Sequence, residues 1–256
     1  MSKIAITYEK GGVAKTTTAV NVSSILAERG YKVLLVDLDH QSYATSYFNL
    51  YDDTDTLPSI NDVVRGTVSA KQAIRPTGFW KLDLLPSHYS FREIEAFLME
   101  KTRGQDYYLK NALGDIEGDY DFIFLDCPPS GERIKTNALA FADTAILPTI
   151  PDDYAIQGLR CMATELVDVK KFVNEGLTVL GVLITMDEHT ANKTLYKKAL
   201  QQQEIFPCFK SCIRKNTKLS EAINSHKPIN VYEPRSNGCA DYNALTDEIL
   251  SKLKRK

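Results

Sequence analysis

A segment near the N-terminus combines lysine, glycine and threonine at a spacing that suits phosphate binding. The segment YEKGGVAKTTT, residues 8–18, contains Lys15 and Thr16 in the order that closes the pattern G-x-x-x-x-G-K-[ST]. Glu9 and Ala14 stand where that pattern has its two glycines. The segment follows an apolar strand pattern and opens a helical one, which is the setting that a phosphate-binding loop requires. We therefore predict an altered phosphate-binding loop, against the alternative of a plain glycine turn.

Each part of this loop has a chemical role. Because glycine leaves the backbone free to curve, successive N–H groups can surround a phosphate chain at the positive end of the following helix. Lys15 would bridge the β- and γ-phosphates of a nucleotide, and the Thr16 hydroxyl would hold Mg²⁺. Thr17 is placed to reach the α-phosphate. The predicted nucleotide-binding residues of the loop are Lys10, Gly11, Gly12, Val13, Ala14, Lys15, Thr16 and Thr17.

The composition is that of an ordinary globular protein, and it excludes several classes. The 256 residues carry a net charge of −2, so contact with nucleic acid would need a local basic patch. No apolar run approaches the ~20 residues of a membrane span, and the strand pattern at the N-terminus leaves no room for a signal peptide. Five cysteines without a secretory segment indicate reduced thiols in the cytoplasm. Cys208 and Cys212 lack a second cysteine or histidine pair nearby, so strand positions are favoured over a metal site.

Apolar runs alternate with helical patterns along the chain. This alternation predicts an α/β fold with a doubly wound, mostly parallel sheet and helices on both faces. Together with the predicted phosphate-binding loop after the first strand, it indicates the P-loop NTPase type. We expect residues 1–256 to form a single domain, with Gly30 ending the first helix, residues 52–80 as a polar excursion from the sheet, and residues 246–256 as a helix with a basic end. The runs that suit buried parallel strands are 3–8, 32–39, 82–87, 121–126, 144–149 and 177–185.

Asp126 ends one of these apolar runs and is followed by the turn residues Pro128 and Pro129. Because ligands of such sheets bind at the carboxyl ends of the strands, the Asp126 carboxylate is placed to hold the hydration shell of Mg²⁺ beside the loop. The alternative is a carboxylate that caps the next turn. We predict the metal role.

The loop is similar to the deviant Walker A loop of the ParA/MinD family of ATPases, in which K-G-G-x-G-K-T-[ST] is usual. Further motifs of that family occur in the same order: D-x-D-x-Q at residues 37–41, D-x-P-P at 126–129, and L-S-E-A followed by K-P within 219–228. The resemblance extends from about Lys3 to about Leu250. It implies an ATPase that uses ATP and Mg²⁺, most similar to short, Soj-like ParA proteins without an N-terminal helix-turn-helix.

The resemblance also implies roles for individual charged residues. Lys10 reaches across a nucleotide-sandwich dimer to the phosphates that the other subunit binds. Asp39 orients the attacking water, and Asp37 lies close to the Mg²⁺ shell. The implied catalytic residues are Lys10, Lys15 and Asp39, and the implied metal-site residues are Thr16, Asp37 and Asp126.

Several residues of the first two motifs depart from the family pattern. Ala14 replaces a glycine; with a positive φ an alanine costs ~1 kcal/mol, whereas with a negative φ it is harmless. We expect slowed turnover and retained nucleotide binding. Glu9 is expected to face solvent or to pair with a base, because a carboxylate aimed at phosphate would repel it. His40 replaces a proline beside Asp39, which predicts a looser switch segment.

The family likeness places adenine near the later strands. Met186 matches the second residue of a T-M pair at a strand end, and Arg214 stands where the family has a proline. Met186 and Arg214 are therefore predicted nucleotide contacts.

ParA relatives bind DNA without sequence preference as ATP dimers, through basic residues that contact phosphates. The corresponding basic residues lie in two segments, 191–200 and 213–220, and Thr190 stands near the position of a family arginine. The predicted DNA-binding residues are Lys193, Lys197, Lys198, Lys215 and Lys218, with Arg214 as a further candidate.

We interpret the chain as a ParA-type partition ATPase of the bacterial cytoplasm, associated with the nucleoid. The expected partners are a second copy of the chain when ATP is bound, nonspecific DNA, and a ParB-like centromere-binding protein that stimulates hydrolysis. A MinD-like membrane-associated positioning ATPase is the main alternative, although the last helix lacks a terminal Phe or Trp. An iron–sulfur reductase, a biotin-pathway synthetase and an ATP-gated binding switch are further alternatives.

Overall fold

The computed structural model describes residues 1–188 and 190–254, which form an eight-stranded sheet covered by helices. The strands are β1 (Ser2–Ile6), β2 (Val33–Asp37), β3 (Arg75–Pro76), β4 (Leu82–Leu85), β5 (Phe122–Asp126), β6 (Thr144–Thr149), β7 (Thr178–Asp187) and β8 (Cys208–Arg214). The six predicted runs are confirmed as β1, β2, β4, β5, β6 and β7. The two cysteines that the sequence assigned to a strand lie in β8, and all five cysteines are free thiols.

The helices connect these strands. Short 3₁₀ helices occupy Tyr89–Glu93 and Gly114–Asp119. The α-helices of the described residues are α1 (Lys15–Glu28), α2 (Tyr43–Tyr47), α3 (Ile60–Arg65), α4 (Ala70–Ala73), α5 (Ile94–Met99), α6 (Tyr108–Leu113), α7 (Glu132–Phe141), α8 (Ala155–Phe172), α9 (Ala191–Gln202), α10 (Thr217–Asn224), α11 (Ile229–Tyr232) and α12 (Asn237–Leu253).

The strand order is β3-β4-β2-β5-β1-β6-β7-β8. All neighbouring pairs are parallel except β3 with β4. Apolar side chains of the strands point alternately to two cores, as expected for a sheet that is covered on both faces. In β1, Ala5 packs in the core beneath α7 and α8, whereas Ile4 and Ile6 pack in the core beneath α1 and α12. The predicted doubly wound, mostly parallel α/β fold is confirmed.

The segment 52–80 differs in part from the predicted excursion. It forms α3 and α4 and then returns to the sheet as β3, where Arg75 is paired with Leu84 of β4. The Arg75 guanidinium donates hydrogen bonds to the carbonyls of Leu50 (3.0 Å) and Pro58 (2.8 Å). These two bonds explain the return, because one side chain ties both arms of the polar loop to the edge of the sheet.

Helix α1 ends where the sequence predicts. Gly30 has φ 96°, in the left-handed region that favours glycine. Its N–H donates to the Ala27 carbonyl at 2.9 Å, and the N–H of Tyr31 donates to Leu26 at 3.2 Å. These bonds satisfy carbonyls of the last turn and direct the chain into β2.

The sheet brings the ends of three strands together. Asp126 at the end of β5 is in register with Asp37 at the end of β2 and with Ile6 at the end of β1. The loop that precedes α1 begins directly after β1. The phosphate loop and two of the predicted carboxylates therefore meet at the carboxyl edge of the sheet, as the fold requires.

Strand β8 forms one edge of the sheet, and α12 covers it. Glu248 of α12 accepts hydrogen bonds from the N–H groups of Lys210 (3.0 Å) and Ser211 (2.9 Å). Asp241 of α12 accepts from the N–H of Arg214 at 3.0 Å. Two carboxylates thus accept hydrogen bonds from backbone N–H groups that an edge strand otherwise presents to solvent.

Helix α12 begins at Asn237, nine residues before the predicted start at residue 246, and Ser236 caps it by accepting from the N–H of Cys239. Arg255 and Lys256, the end of the predicted basic tail, lie outside the described residues. Within residues 1–188 and 190–254, no helix combines the length and the apolar character that crossing a bilayer demands.

Candidate nucleotide-binding site

The loop between β1 and α1 forms one wall of a cavity of about 900 Å³. The cavity lies at the carboxyl edge of the sheet and is lined by Lys15, Thr16 and Thr17 of the first turn of α1, the part of a helix that has free N–H groups. The predicted site residues Gly11, Gly12, Ala14, Lys15, Thr16, Thr17, Asp39 and Met186 all line it. A loop of this shape at a helix N-terminus suits a chain of phosphate groups.

Lys15 lies at the base of the cavity with only 7% of its surface exposed. Its ammonium donates a hydrogen bond to the Lys10 carbonyl at 3.1 Å. Burial lowers the pKa of Lys15, and the nearby Asp126 carboxylate opposes this shift. The structure therefore holds a buried cation at the position where a bound phosphate chain would need one.

Ala14 adopts φ 64° and ψ 34°, which is the left-handed region. The sequence analysis left the sign of φ at Ala14 open, and the structure shows that φ is positive. Gly12 has φ 72° and incurs no such strain because it lacks a Cβ. Ala14 thus carries a conformational cost of ~1–2 kcal/mol relative to a right-handed geometry.

Replacing Ala14 by glycine is expected to stabilise the protein and to speed nucleotide turnover. Removal of the Cβ relieves ~1–2 kcal/mol of strain, of which the greater freedom of glycine in the unfolded chain takes back ~0.5–1 kcal/mol. Urea unfolding and steady-state hydrolysis check the two effects. Ala199→Gly, at an exposed position three residues before the end of α9, is the matched control and should destabilise by ~0.5–1 kcal/mol. Equal losses in both variants would contradict the strain argument.

Val13 belongs to the core and not to the cavity. Its side chain is fully buried, and its carbonyl accepts a hydrogen bond from the Thr185 hydroxyl at 3.1 Å. The same hydroxyl lies 3.2 Å from the Thr149 carbonyl at the end of β6. Val13 and Thr185 therefore anchor the loop to β6 and β7, and only the backbone of Val13 is available to a nucleotide.

Asp37 and Asp126 lie beneath the cavity and differ in their hydrogen bonding. Asp37 accepts from the N–H of Asp39 (3.1 Å) and from both the N–H (2.8 Å) and the hydroxyl (2.7 Å) of Thr45. These contacts tie the end of β2 to α2. The role of Asp37 in the Mg²⁺ shell stays a prediction, and its contacts give it a structural role as well.

Asp126 is 1% exposed, and both of its carboxylate oxygens are buried without a hydrogen-bond partner among the described residues. Burial raises its pKa well above the usual range, and the Asp37 carboxylate raises it further. The nearby Thr16 hydroxyl lowers this pKa, although its geometry does not meet that of a hydrogen bond to either oxygen. A buried carboxylate without donors is unfavourable unless a cation compensates it. The carboxylate and hydroxyl oxygens of Asp126 and Thr16 are the hard ligands that Mg²⁺ or its bound waters prefer, so these residues fit that ion.

The raised pKa values of Asp126 and Asp37 predict how stability depends on pH in the absence of nucleotide. Between the ordinary value of 3.8 and the raised values, the folded protein holds protons that the unfolded chain has released. These two groups therefore make the free energy of unfolding fall as pH rises through that window. Urea unfolding at a series of pH values, compared with Asp126→Asn, measures this contribution. If the difference in the free energy of unfolding between the parent and Asp126→Asn does not change with pH, Asp126 makes no such contribution.

Asp39 lines the cavity from the segment between β2 and α2. Its Oδ1 accepts from the N–H of Gln41 at 2.9 Å, and the His40 Nδ1 lies 3.7 Å from the same oxygen. The side chain is 10% exposed, so its position is set by the turn that follows β2. The predicted role of Asp39 in orienting water is compatible with this placement and stays a prediction.

The wall opposite the loop includes residues that the sequence did not suggest. His226 Nδ1 lies 2.8 Å from the Ser46 carbonyl, and the Tyr47 hydroxyl donates to the Lys227 carbonyl at 3.3 Å. These contacts join α2 to the segment after α10. The additional lining residues are His40, Gln41, Tyr43, Ser46, Tyr47, Pro129, Ser130, Ile223, Asn224 and His226. Ile223, Asn224 and His226 lie between the L-S-E-A and K-P parts of a family motif. That motif could have indicated that these residues belong to the site.

Lys10 does not line the cavity. Its side chain is 46% exposed and its ammonium pairs with Asp152, which lies in the turn between β6 and α8. Tyr8 fixes the position of that turn, because its hydroxyl donates to the Ala155 carbonyl at 3.1 Å. The Tyr8 ring also packs against Gly158, where an added Cβ would lie 2.4 Å from the hydroxyl. Lys10 is therefore held against its own chain, outside the cavity that its loop forms.

Glu9 was expected either to face solvent or to pair with a base, and its side chain is exposed. No ion pair with a base is found for it among the described residues, so the solvent-facing alternative describes it.

Three of the predicted DNA-binding lysines lie beside the end of β7. Lys193 and Lys215 both contact Glu188, each with a nitrogen–oxygen distance of 2.6 Å. Lys197 pairs with Asp187, whose side chain is 6% exposed. The three lysines are thus close together, but carboxylates of the same chain compensate their charge.

The remaining basic candidates are placed differently. The Arg214 guanidinium binds both oxygens of Asp241 on α12 and does not line the cavity. This placement does not support the prediction that Arg214 contacts nucleotide. Lys218 pairs with Glu221 within α10 at 2.7 Å. Lys198 is exposed and has no acidic partner in the part of the chain that the structure describes.

The parallel sheet, the loop between β1 and α1, and the carboxylates at the neighbouring strand ends define a protein of the P-loop NTPase class. A family model described as an AAA domain matches residues 1–179. The sporulation initiation inhibitor protein Soj of Bacillus subtilis is 35% identical over 253 residues, which cover 97% of this chain and 98% of Soj. The chromosome partitioning protein ParA of Myxococcus xanthus is 31% identical over 258 residues, covering 97% and 88% of the two chains.

Solved structures agree with this similarity. The crystal structure of cobyrinic acid a,c-diamide synthase from Mycobacterium smegmatis with bound ATP analogue and magnesium superposes with a TM-score of 0.88 at 29% identity. It covers 99% of this chain and 96% of that chain. The chain belongs to the ParA family of P-loop partition ATPases, the family that includes Soj.

Proposed function

We propose that the chain is a ParA-type partition ATPase with a single ATPase domain, whose ATP-bound form is a sandwich dimer that binds DNA nonspecifically. A ParB-like partner stimulates hydrolysis, and the resulting monomers leave the DNA. The protein acts in the bacterial cytoplasm on the nucleoid. The observation that carries the dimer is the position of Lys10, whose ammonium pairs with Asp152 and does not line the cavity of its own chain.

The position of Lys10 argues for a second subunit in the following way. Lys15 already supplies a cation to the cavity, whereas Lys10 is paired with Asp152 at the surface. An ammonium that does not line the cavity of its own chain contributes to phosphate binding when a second copy presents its loop to it. The exchange of Asp152 for a phosphate oxygen then couples dimer formation to the presence of ATP.

ATP and Mg²⁺ are supported by the residues that line and underlie the cavity. Lys15, Gly11 and Gly12 face the position of the phosphates, and Thr16 with the partnerless Asp126 suits Mg²⁺. Mg²⁺ supplies charge neutralisation of the phosphates when bound. Asp39 would orient the attacking water from the opposite side of the cavity. A related solved protein holds an ATP analogue and magnesium.

Sedimentation velocity with no nucleotide, with Mg²⁺–ADP and with Mg²⁺–ATP tests the proposal. A dimer with ATP alone, which binds a random-sequence duplex of 30 base pairs more weakly at high salt, is the expected result. A monomer under all three conditions contradicts the sandwich. Hydrolysis of ATP, followed as phosphate release with and without the duplex, tests the enzymatic step separately.

Two alternatives are distinguished in the same experiment. An ATP dimer that ignores DNA and sediments with anionic phospholipid vesicles would favour a MinD-like positioning ATPase. ATP hydrolysis that depends on an added amide donor and a carboxylic acid, and not on DNA, would favour a synthase like the M. smegmatis relative.

A further inference from the structure

The basic surface at the end of β7 is organised around one carboxylate. Glu188 lies directly after β7 and contacts two lysines that come from different elements. Lys193 belongs to the first turn of α9, and Lys215 follows β8. Each ammonium nitrogen lies 2.6 Å from an oxygen of Glu188. The carboxylate therefore occupies the position between two cations that a phosphate group of DNA would take.

We propose that Glu188 acts as an internal competitor of DNA phosphate, which holds Lys193 and Lys215 and weakens DNA binding by the dimer. This inference rests on the proposed function. DNA must displace Glu188 from both lysines before the DNA phosphates can pair with them. The displaced carboxylate then repels the phosphate backbone of the DNA. Nonspecific affinity is thereby kept low enough for the protein to leave DNA readily.

The local geometry favours exchange at Glu188 over exchange at the neighbouring pair. The Glu188 side chain is 29% exposed, and ion pairs that are more accessible to solvent contribute less to stability, so opening its two pairs costs less than opening a buried pair. Asp187 is 6% exposed and holds Lys197 in a partly buried pair, which is more costly to break because a buried charge would lose its partner. The releasable cations are therefore Lys193 and Lys215, and Lys198 is already free for DNA.

The state of Glu188 does not change with physiological pH. Hydrogen bonds from Lys193 and then from Lys215 lower the pKa of Glu188 to about 2. The carboxylate remains ionised at any pH where the protein works, so it is removed by displacement and not by protonation.

Replacing Glu188 by glutamine tests the inference on the full-length protein. Duplex binding of the Mg²⁺–ATP state, measured by fluorescence anisotropy between 50 and 300 mM KCl, should tighten on the order of tenfold at the lowest salt. The slope of log K against log salt should steepen by ~0.9 for each additional phosphate contact. Glu188→Ala should act in the same direction, because both changes remove the competing charge.

Two comparisons separate this effect from net charge and from folding. Glu204→Gln changes the net charge equally, but lies before β8, at the opposite end of that strand from Lys215. Its affinity should stay within about twofold of the parent, as expected for a charge beyond the Debye length. The triple variant Glu188→Gln, Lys193→Gln, Lys215→Gln should lose the gain. Thermal unfolding of each variant shows that a change in DNA affinity is not a change in folded fraction.

The outcomes are distinct. Equal DNA affinity and equal slope for the parent, Glu188→Gln and Glu204→Gln would overturn the inference and leave DNA binding intact. An ATP dimer in which none of these proteins binds the duplex would overturn both the inference and the proposed DNA-binding function.

Discussion

Replacing Asp126 by asparagine is expected to raise the stability of the nucleotide-free protein and to abolish Mg²⁺-dependent ATP hydrolysis. Both carboxylate oxygens are buried without a hydrogen-bond partner among the described residues, and burial raises the pKa well above its usual range. A neutral amide of the same shape removes the buried charge. The gain in the free energy of unfolding at pH 7 should be on the order of 1–3 kcal/mol.

The expected loss of hydrolysis in Asp126→Asn has the same cause as the gain in stability, namely the removal of the carboxylate charge. Asparagine offers one neutral oxygen in place of an ionised carboxylate, so it is a poorer ligand for Mg²⁺ or for its bound waters. Hydrolysis should fall by at least ~100-fold, comparable to the loss of one electrostatic contact in the transition state. Urea unfolding without nucleotide and phosphate release with Mg²⁺–ATP measure the two effects on the same preparation.

Asp37→Asn is the matched control for Asp126→Asn. The two carboxylates are in register on neighbouring strands, but Asp37 accepts three hydrogen bonds from Thr45 and Asp39. The NH₂ group of an asparagine at position 37 would face N–H or O–H groups that now donate to the carboxylate, and hydrogen bonds would be lost. This variant should therefore lose ~1–3 kcal/mol of stability. If both variants are destabilised alike, Asp126 is a structural residue and its assignment to Mg²⁺ fails.

Replacing Lys10 by alanine should prevent the ATP-dependent dimer and leave nucleotide binding to the monomer. The Lys10 side chain does not line the cavity of its own chain, so its loss removes no contact to the nucleotide that chain binds. In a symmetric dimer two such lysines would each lose a charged hydrogen bond worth ~1.5–3 kcal/mol. The dimer dissociation constant should therefore rise by ~100-fold or more. Sedimentation velocity over a range of protein concentrations measures it.

Two variants accompany Lys10→Ala. Lys170→Ala removes an exposed lysine of α8 and should leave the dimer unchanged. Asp152→Asn removes the partner that holds Lys10 on its own chain, so the dimer should form at lower protein concentration. If Lys10→Ala still dimerises like the parent, the lysine has no function in trans, whatever its position in the monomer.

Sequence reasoning predicted what depends on local pattern. The buried strands follow from their apolar runs, and Gly30 marks the end of α1 by its φ of 96°. The residues of the loop reach the cavity because strand, loop and helix are consecutive in the chain. Register between parallel strands then brings Asp37 and Asp126 together, as the fold class implies.

Contacts between distant segments were beyond the reach of pattern. Lys10 and Asp152 are 142 residues apart, and His226 and Ser46 are 180 apart. No local periodicity encodes such pairs, since they arise when helices pack on a finished sheet. The contact of Arg214 with Asp241 on α12, 27 residues further along the chain, is a third such pair, and no motif around position 214 indicates it.

The covering of β8 by α12 has a consequence for how the chain is made. Synthesis proceeds from the N-terminus, so β8 leaves the ribosome before Asp241 and Glu248, whose carboxylates occupy its edge N–H groups. During that interval a nascent chain exposes an open strand edge, which can pair with the same edge of another nascent chain. Closely spaced ribosomes on one message, which bring such open edges near one another, should therefore favour insoluble product, and sparse ribosome loading should favour chains in which α12 docks first.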